Sequence, residues 1–465
     1  MTPPPADAAA LPGRRLPHDG YLARLLWAGF IATCVVYAVF AFDYFLGFAS
    51  GRDSLWLRFM AWAVSHDYAF GRGSVAVDQH AAYANGLRFM LMHTTMAAIA
   101  MALGPFQFLN GLRSRAPGLH RAAGRVYVIA MLLGTAGNLA YLSITSFDHV
   151  YTGPPFAVGL WGLDAMVLFT GALAVLAIRR RDIPRHRAWM ALNFSLLLTA
   201  PGLRILWVLY GLAAPARTQG ESNLAITTYL LPICMMVGLL WWAREQLREA
   251  PAAVRALPGG WARALALAGA GTLLVLVGFL SLGFLAAGDA LGPYAQLARE
   301  FLAQPVWLSL WLVALGLVLR LGPAALAGPA GLQAGLARYL LASLVTALAG
   351  MALGSAMGTA AVAGYVMLSF WWGAGVLWLM AVAGSWQAAR RGHWQVARQW
   401  AATGHATALV PLLWLPSLPL WQAFAGMDLA QAWMTGAIAA FATLFLVAHY
   451  LNVEVLGATR NAPRA

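Results

Sequence analysis

The sequence predicts an all-α polytopic membrane protein with about twelve transmembrane helices in two parallel six-helix halves. Three observations predict it. The 465 residues are 61% hydrophobic and only 10% charged, with a mean hydropathy of +0.69, which is more apolar surface than a soluble fold of that length buries. The apolar residues fall into runs of about 20, the length a helix needs to cross a hydrocarbon core of roughly 30 Å. Finally, short polar motifs recur across the chain at nearly constant offsets.

In chain order, residues 1–25 are a Pro- and Ala-rich tail without the pattern of a cleavable signal peptide. The first six spans are expected near residues 26–46, 89–108, 126–144, 156–178, 188–209 and 224–242. Between the first two lies a longer segment, about 48–87, with Trp56, Trp62, His66, Tyr68 and His80; it is expected to fold as a cap over the outer face. Residues 244–263, rich in Pro, Ala and Arg, read as a linker between domains at 26–243 and 264–452. The second six spans are expected near 264–286, 306–320, 339–357, 361–384, 403–423 and 432–451, followed by a tail at 453–465.

All 30 basic residues are arginine, and the net charge is +14. Such a charge suits nucleic acid, but the arginines sit in short clusters between apolar runs, as orientation signals do, so nucleic-acid binding is excluded. The clusters at Arg14/Arg15/Arg24, Arg113 to Arg125, Arg179 to Arg187, Arg244 to Arg263 and Arg390 to Arg398 all fall on one side. That side is expected to be the cytoplasm, with both termini inside. The residue bias suggests a GC-rich bacterial genome, which makes the expected membrane the bacterial cytoplasmic (inner) membrane. Cys34 and Cys234 lie inside apolar runs, which argues against a disulfide framework or a cysteine metal site.

The halves correspond in sequence. Leu103-Gly104-Pro105 recurs as Leu321-Gly322-Pro323; Gly118-Leu119 with Arg125 recurs as Gly331-Leu332 with Arg338; Arg179-Arg180 with Arg187 and Trp189 recurs as Arg390-Arg391 with Arg398 and Trp400. An even number of helices per half makes these parallel repeats.

Ionisable groups at membrane depth are costly and mark functional sites by default. In the first half they are His93, Asp164 and Arg204, with Asn138 and Asn193 adding polarity. His93 and Arg204 in the outer half and Asp164 nearer the middle are expected to form one polar cluster with Asn138, with Asp164 paired to Arg204, suited to a quinone or small-molecule redox partner; a register-fixing ion pair is the structural alternative. His120 and His186 each open a helix at the arginine-rich boundary, and each is followed by arginine. A b-type haem between helices needs two imidazoles, small residues near a ligand, and cations for two propionates. The sequence offers His120 and His186 as ligands of the haem iron, Gly124 one turn beyond His120, and Arg121, Arg125, Arg185 and Arg187. The bland reading of the same residues is interface anchoring by snorkelling side chains.

At the matching positions of the second half, His93 becomes Trp311, His120 becomes Gln333, Asp164 becomes Gly375, His186 becomes Ala397 and Arg204 becomes Leu415. The first half is therefore the expected working unit. His393, His405 and His449 of the second half fall on none of the first-half candidates.

Residues 93–212 resemble an uncharacterised family of multi-pass bacterial membrane proteins, a domain of unknown function. Its pattern is matched by His93 before Gly104-Pro105-Phe106-Gln107-Phe108, by His120-Arg121 with Gly124-Arg125 and Tyr127, by His186-Arg187 with Trp189-Met190, and by Arg204. The arrangement is also distantly similar to cytochrome b561-type haem membrane proteins, which implies haem held by histidines of successive helices. This chain departs from them because His93 has no histidine partner in the fourth span. Three functions are expected to compete: a haem b membrane oxidoreductase or electron-transfer protein, a secondary transporter of a small solute with six plus six helices, and a non-catalytic membrane scaffold or sensor. Against transport, the polar intramembrane residues are concentrated in one half instead of lining a shared path.

Overall fold

The computed structural model describes residues 17–285, 291–358 and 364–457. Arg14, Arg15, the outer parts of both tails, the last residue of the span expected at 264–286 and the first residues of that expected at 361–384 lie outside the described residues. Among the described residues every regular element is helical. The chain is a polytopic all-α membrane protein.

The first half begins with α1 (Pro17–Ala49) and then builds the cap from α2 (Leu55–Ala63), α3 (His66–Phe70), α4 (Val75–Asp78) and α5 (His80–Asn85). Serine starts three of these short helices: the hydroxyls of Ser54, Ser65 and Ser74 accept from the backbone N–H groups of Leu57, Tyr68 and Val77, filling donors that a helix start leaves open. The cap is tied to the bundle where the Val75 N–H donates to Gln219 Oε1 at 2.7 Å and the Tyr68 hydroxyl donates to the Trp207 carbonyl at 2.9 Å.

The bundle continues with α6 (Leu87–Gln107), the short α7 (Asn110–Arg115), α8 (Pro117–Ile144), α9 (Pro154–Arg179), α10 (Ile183–Leu197), α11 (Thr199–Ala213) and α12 (Gln219–Gln246). Proline stands in the first turn of α8, α9 and α10, where its missing N–H costs nothing. One span is interrupted: α10 ends at Leu198, and Pro201 lacks the N–H that would carry the ladder through.

The second half consists of α13 (Gly259–Leu282), α14 (Gly292–Leu302), α15 (Pro305–Ala327), α16 (Pro329–Met357), α17 (Gly364–Arg390), α18 (Trp394–Ala408), α19 (Val410–Ala425) and α20 (Leu429–Tyr450). About twelve spans are expected from the sequence; among the described residues 11 helices are long and apolar enough to cross. The difference lies at the span expected near 403–423. There α18 stops at Leu409 and α19 starts at Val410-Pro411, with Pro416 and Pro419 further in, so neither piece has the full length. The break falls at the place equivalent to Leu198.

A large core joins the halves, with Trp189, Leu192 and Trp242 of the first in the same cluster as Trp371, Trp433 and Phe441 of the second. Inside the first half, α6 and α8 approach backbone to backbone. A Cβ on Gly137 would stand 2.8 Å from the His93 N and the Phe89 O, so only glycine permits the separation. Asn193, fully buried, fastens three helices: it accepts from the Tyr127 hydroxyl at 2.8 Å and donates to the Val167 carbonyl at 2.8 Å and to Thr170 Oγ1 at 3.0 Å.

Candidate functional site

Two cavities open in the first half, one at each end, and the sequence-predicted residues other than Arg185 line them. The cavity at the arginine-rich end has a volume of about 1990 Å³. Its walls come from the start of α8 and α10, the ends of α6 and α9, α7, the beginning of α1 and the end of α12.

His186 occupies the first turn of α10, and its Nδ1 lies 2.9 Å from the carbonyl oxygen of Ala174 in α9. A carbonyl only accepts, so Nδ1 carries the proton and the lone pair sits on Nε2. His120, in the first turn of α8, lines the same cavity. Its Nδ1 is buried with no hydrogen-bond partner. His186 is near enough for its charge to be felt at His120. Gly124 also lines the wall, where an added Cβ would crowd Gln107 Oε1 at 3.2 Å.

Arg121, Arg125 and Arg187 face this cavity, and the Nε of Arg187 is buried without a partner. Arg185 does not line it. Its guanidinium instead reaches Asp182 at 3.3 Å and Glu454 at 3.2 Å, and Glu454 also accepts from the Trp189 indole at 2.9 Å. The nearest anions therefore take Arg185 to the opposite face of α10, against the π-turn Leu451–Val455.

Five more arginines that the sequence presents only as orientation signals complete the lining: Arg24, Arg113, Arg179, Arg244 and Arg248, which makes eight with Arg121, Arg125 and Arg187, against the single acid Glu245. Burial first, and then the charge of Arg187, hold the Arg113 guanidinium below its ordinary range. Positive charge is thus concentrated in the lining of this cavity.

The second cavity, about 240 Å³, lies under the cap. His93, Asn138, Asp164 and Arg204 all line it. His93 Nδ1 lies 2.8 Å from the Gly134 carbonyl, so its Nε2 carries the lone pair. Asn138 donates to Asp164 Oδ2 at 2.8 Å. The expected Asp164–Arg204 ion pair is not formed; the Arg204 guanidinium lies over the indole of Trp207, 4.6 Å from the ring centroid and one turn away on the same helix. Asp164 is held across α8 and α9 by the amide, and Arg204 by its own helix.

Sequence reasoning missed what the cap brings to this cavity. Trp56, Gln79 and Tyr83 enter from the cap, and the Gln79 amide is fixed by the Tyr141 hydroxyl at 2.9 Å and by the His149 carbonyl at 2.9 Å. Burial pushes the Tyr83 phenol up to about 12 while the Arg204 charge pulls the other way. Tyr83 is therefore an uncharged hydroxyl within electrostatic reach of Arg204. Among the described residues no group of three or more His, Cys, Asp or Glu is placed to hold a metal ion, and both cysteines are buried thiols.

Residues 90–242, one third of the chain, are similar to a family described as a predicted membrane protein, DUF2306. The matched stretch holds His93, His120, Asn138, Asp164, His186 and Arg204, whereas Arg24, Arg244 and Arg248 of one cavity and Trp56, Gln79 and Tyr83 of the other lie outside it. No curated protein and no solved structure matches the chain.

Proposed function

We propose that the protein is a haem b-binding electron-transfer protein of the bacterial cytoplasmic membrane, with the arginine-rich end and both termini facing the cytoplasm. The observation that carries the reading is the pair of imidazoles in one cavity: His186 with Nε2 freed by its Nδ1 bond to Ala174, and His120 with a buried nitrogen that no protein group satisfies. A histidine that donates one ring nitrogen to a backbone carbonyl is oriented for ligation through the other. His120 and His186 would hold the iron, and Arg121, Arg125 and Arg187 the propionates. When bound, such a haem supplies one-electron transfer. Around it Val128, Ile129, Val175 and Trp241 make an apolar wall that excludes water, while the arginine charge favours the reduced, more negative state of any redox group held there. The similarity to cytochrome b561-type proteins extends on this reading to a single haem at the arginine-rich end.

The second half reads as a degenerate copy. Two of its contacts repeat those of the first half at corresponding positions. Ser385 Oγ donates to the Ala397 carbonyl at 2.9 Å where the Ala174 carbonyl meets His186, and Gly322 lies under the ring of His405 where Gly104 lies under Phe194. The packing is kept and the ligating imidazole is gone.

The test is haem content of the purified full-length protein, from cells supplied with a haem precursor, measured as the extracted pyridine haemochrome. One haem per chain, lost in His186→Ala and His120→Ala, is the expected result. A second reading has one observation in its favour: eight arginines against one glutamate suit an anionic solute and hence transport. Haem-free folded protein that accumulates an organic anion in vesicles would favour it.

A further inference from the structure

We infer that the cavity under the cap is a binding site for the head group of a membrane-soluble quinone. The inference does not depend on the occupant of the cavity at the other end.

On one wall His93 Nε2 is an acceptor, because Nδ1 is committed to Gly134. Beside it stands Asp164, whose Oδ2 takes the Asn138 amide proton. Arg204 supplies donors from another helix, without a carboxylate, its charge felt by Tyr37, Tyr44, Tyr83 and His93. Acceptors and a strong donor therefore face one space of about 240 Å³.

These groups select among ligand classes. An anion would satisfy Arg204 but meet the Asp164 carboxyl, and a cation would satisfy Asp164 but meet Arg204. A neutral molecule with oxygen substituents at two ends of a small ring suits both: one oxygen accepts from Arg204, and the other, as a quinol hydroxyl, donates to the His93 and Asp164 wall. The remaining lining is aromatic, with Tyr37, Tyr44, Phe45 and Phe156, which suits a flat ring.

The cap decides the route. Trp56, Gln79 and Tyr83 form the outer end of the cavity, and the cap is pinned to the bundle through Val75, Tyr68 and Tyr151. With its outer end covered and its walls made of membrane-spanning helices, the site is suited to a ligand that travels in the bilayer. Quinones with a lipid tail are of that class.

The experiment uses the purified full-length protein in lipid nanodiscs and an azido-substituted short-tail ubiquinone as photoprobe, with cross-linked peptides mapped by mass spectrometry. Adducts on peptides containing His93, Asn138 to Asp164 or Arg204, suppressed by excess decylubiquinone, are expected. Adducts confined to other regions would overturn the inference, and so would competition by laurate but not by decylubiquinone, which would mark a carboxylate site. In titrations of decylubiquinone, His93→Leu and Arg204→Leu are expected to weaken binding at least tenfold, with Arg204→Lys intermediate. Unchanged affinity in all three folded variants would equally overturn it. Because photolabelling reads the unaltered chain, the inference stays open to refutation even where a variant does not fold.

Discussion

Gly137→Ala tests how α6 and α8 shape the cavity under the cap. The added Cβ would lie 2.8 Å from the His93 N, 2.8 Å from the Phe89 O and 3.1 Å from the His93 Cα. These are main-chain atoms inside a helix, so no side-chain rotation relieves the contact. Regaining an ordinary separation of 3.4 Å moves the helices apart by about 0.6 Å, and overpacking of this kind costs about 1–3 kcal/mol. Alanine in a helix returns up to about 1 kcal/mol relative to glycine. Gly162→Ala isolates that return, because Gly162 lies in the interior of α9 with no heavy atom within 4 Å of its would-be Cβ. Unfolding of the two purified variants in one detergent, followed by helical circular dichroism, measures the difference. Gly137→Ala is expected to be the less stable by about 1–3 kcal/mol. Equal stability, or Gly137→Ala the more stable, would refute the close approach that positions His93 against Gly134.

Asn193→Ala removes three hydrogen bonds and leaves the buried Tyr127 hydroxyl without its acceptor; at about 0.6 kcal/mol for each bond within a membrane, a loss of about 2 kcal/mol is expected in the same unfolding assay. Arg185→Ala breaks two partly exposed ion pairs, so a change below about 1 kcal/mol is expected. Haem content should stay the same; loss of haem in this variant would return Arg185 to the ligand site. Arg187→Ala, by contrast, empties a place on the cavity wall and is expected to lower haem retention through gel filtration while leaving the unfolding transition in place.

Most of the fold was legible because bilayer thickness imposes a length on apolar runs, and the runs are separated by arginine clusters. Helix interruptions were harder to read: Pro201 and Pro411 are visible in the sequence, yet whether a proline kinks a span or splits it depends on its neighbours. The residues of both candidate sites were also legible, because charge and imidazole inside apolar runs stand out by their cost. Their partners were not. Arg185 finds Glu454 far along the chain, and Asp164 finds Asn138 instead of Arg204; neither choice leaves a mark in periodicity or spacing. Arginine bias hid the rest, since Arg113, Arg244 and Arg248 look like topology signals until the ends of α7 and α12 bring them to one cavity. The cap was anticipated as an outer cover, but not its gift of Gln79 and Tyr83 to the space beneath it, because short serine-capped helices take their placement from tertiary contacts.

The most direct measurement is a reduced-minus-oxidised visible spectrum of the full-length protein purified after expression with haem supply, beside His120→Ala and His186→Ala. The account predicts a sharp b-type band in the unaltered protein that disappears in either variant while the helical circular dichroism stays. A featureless spectrum from folded protein, or a band that survives both substitutions, would contradict it.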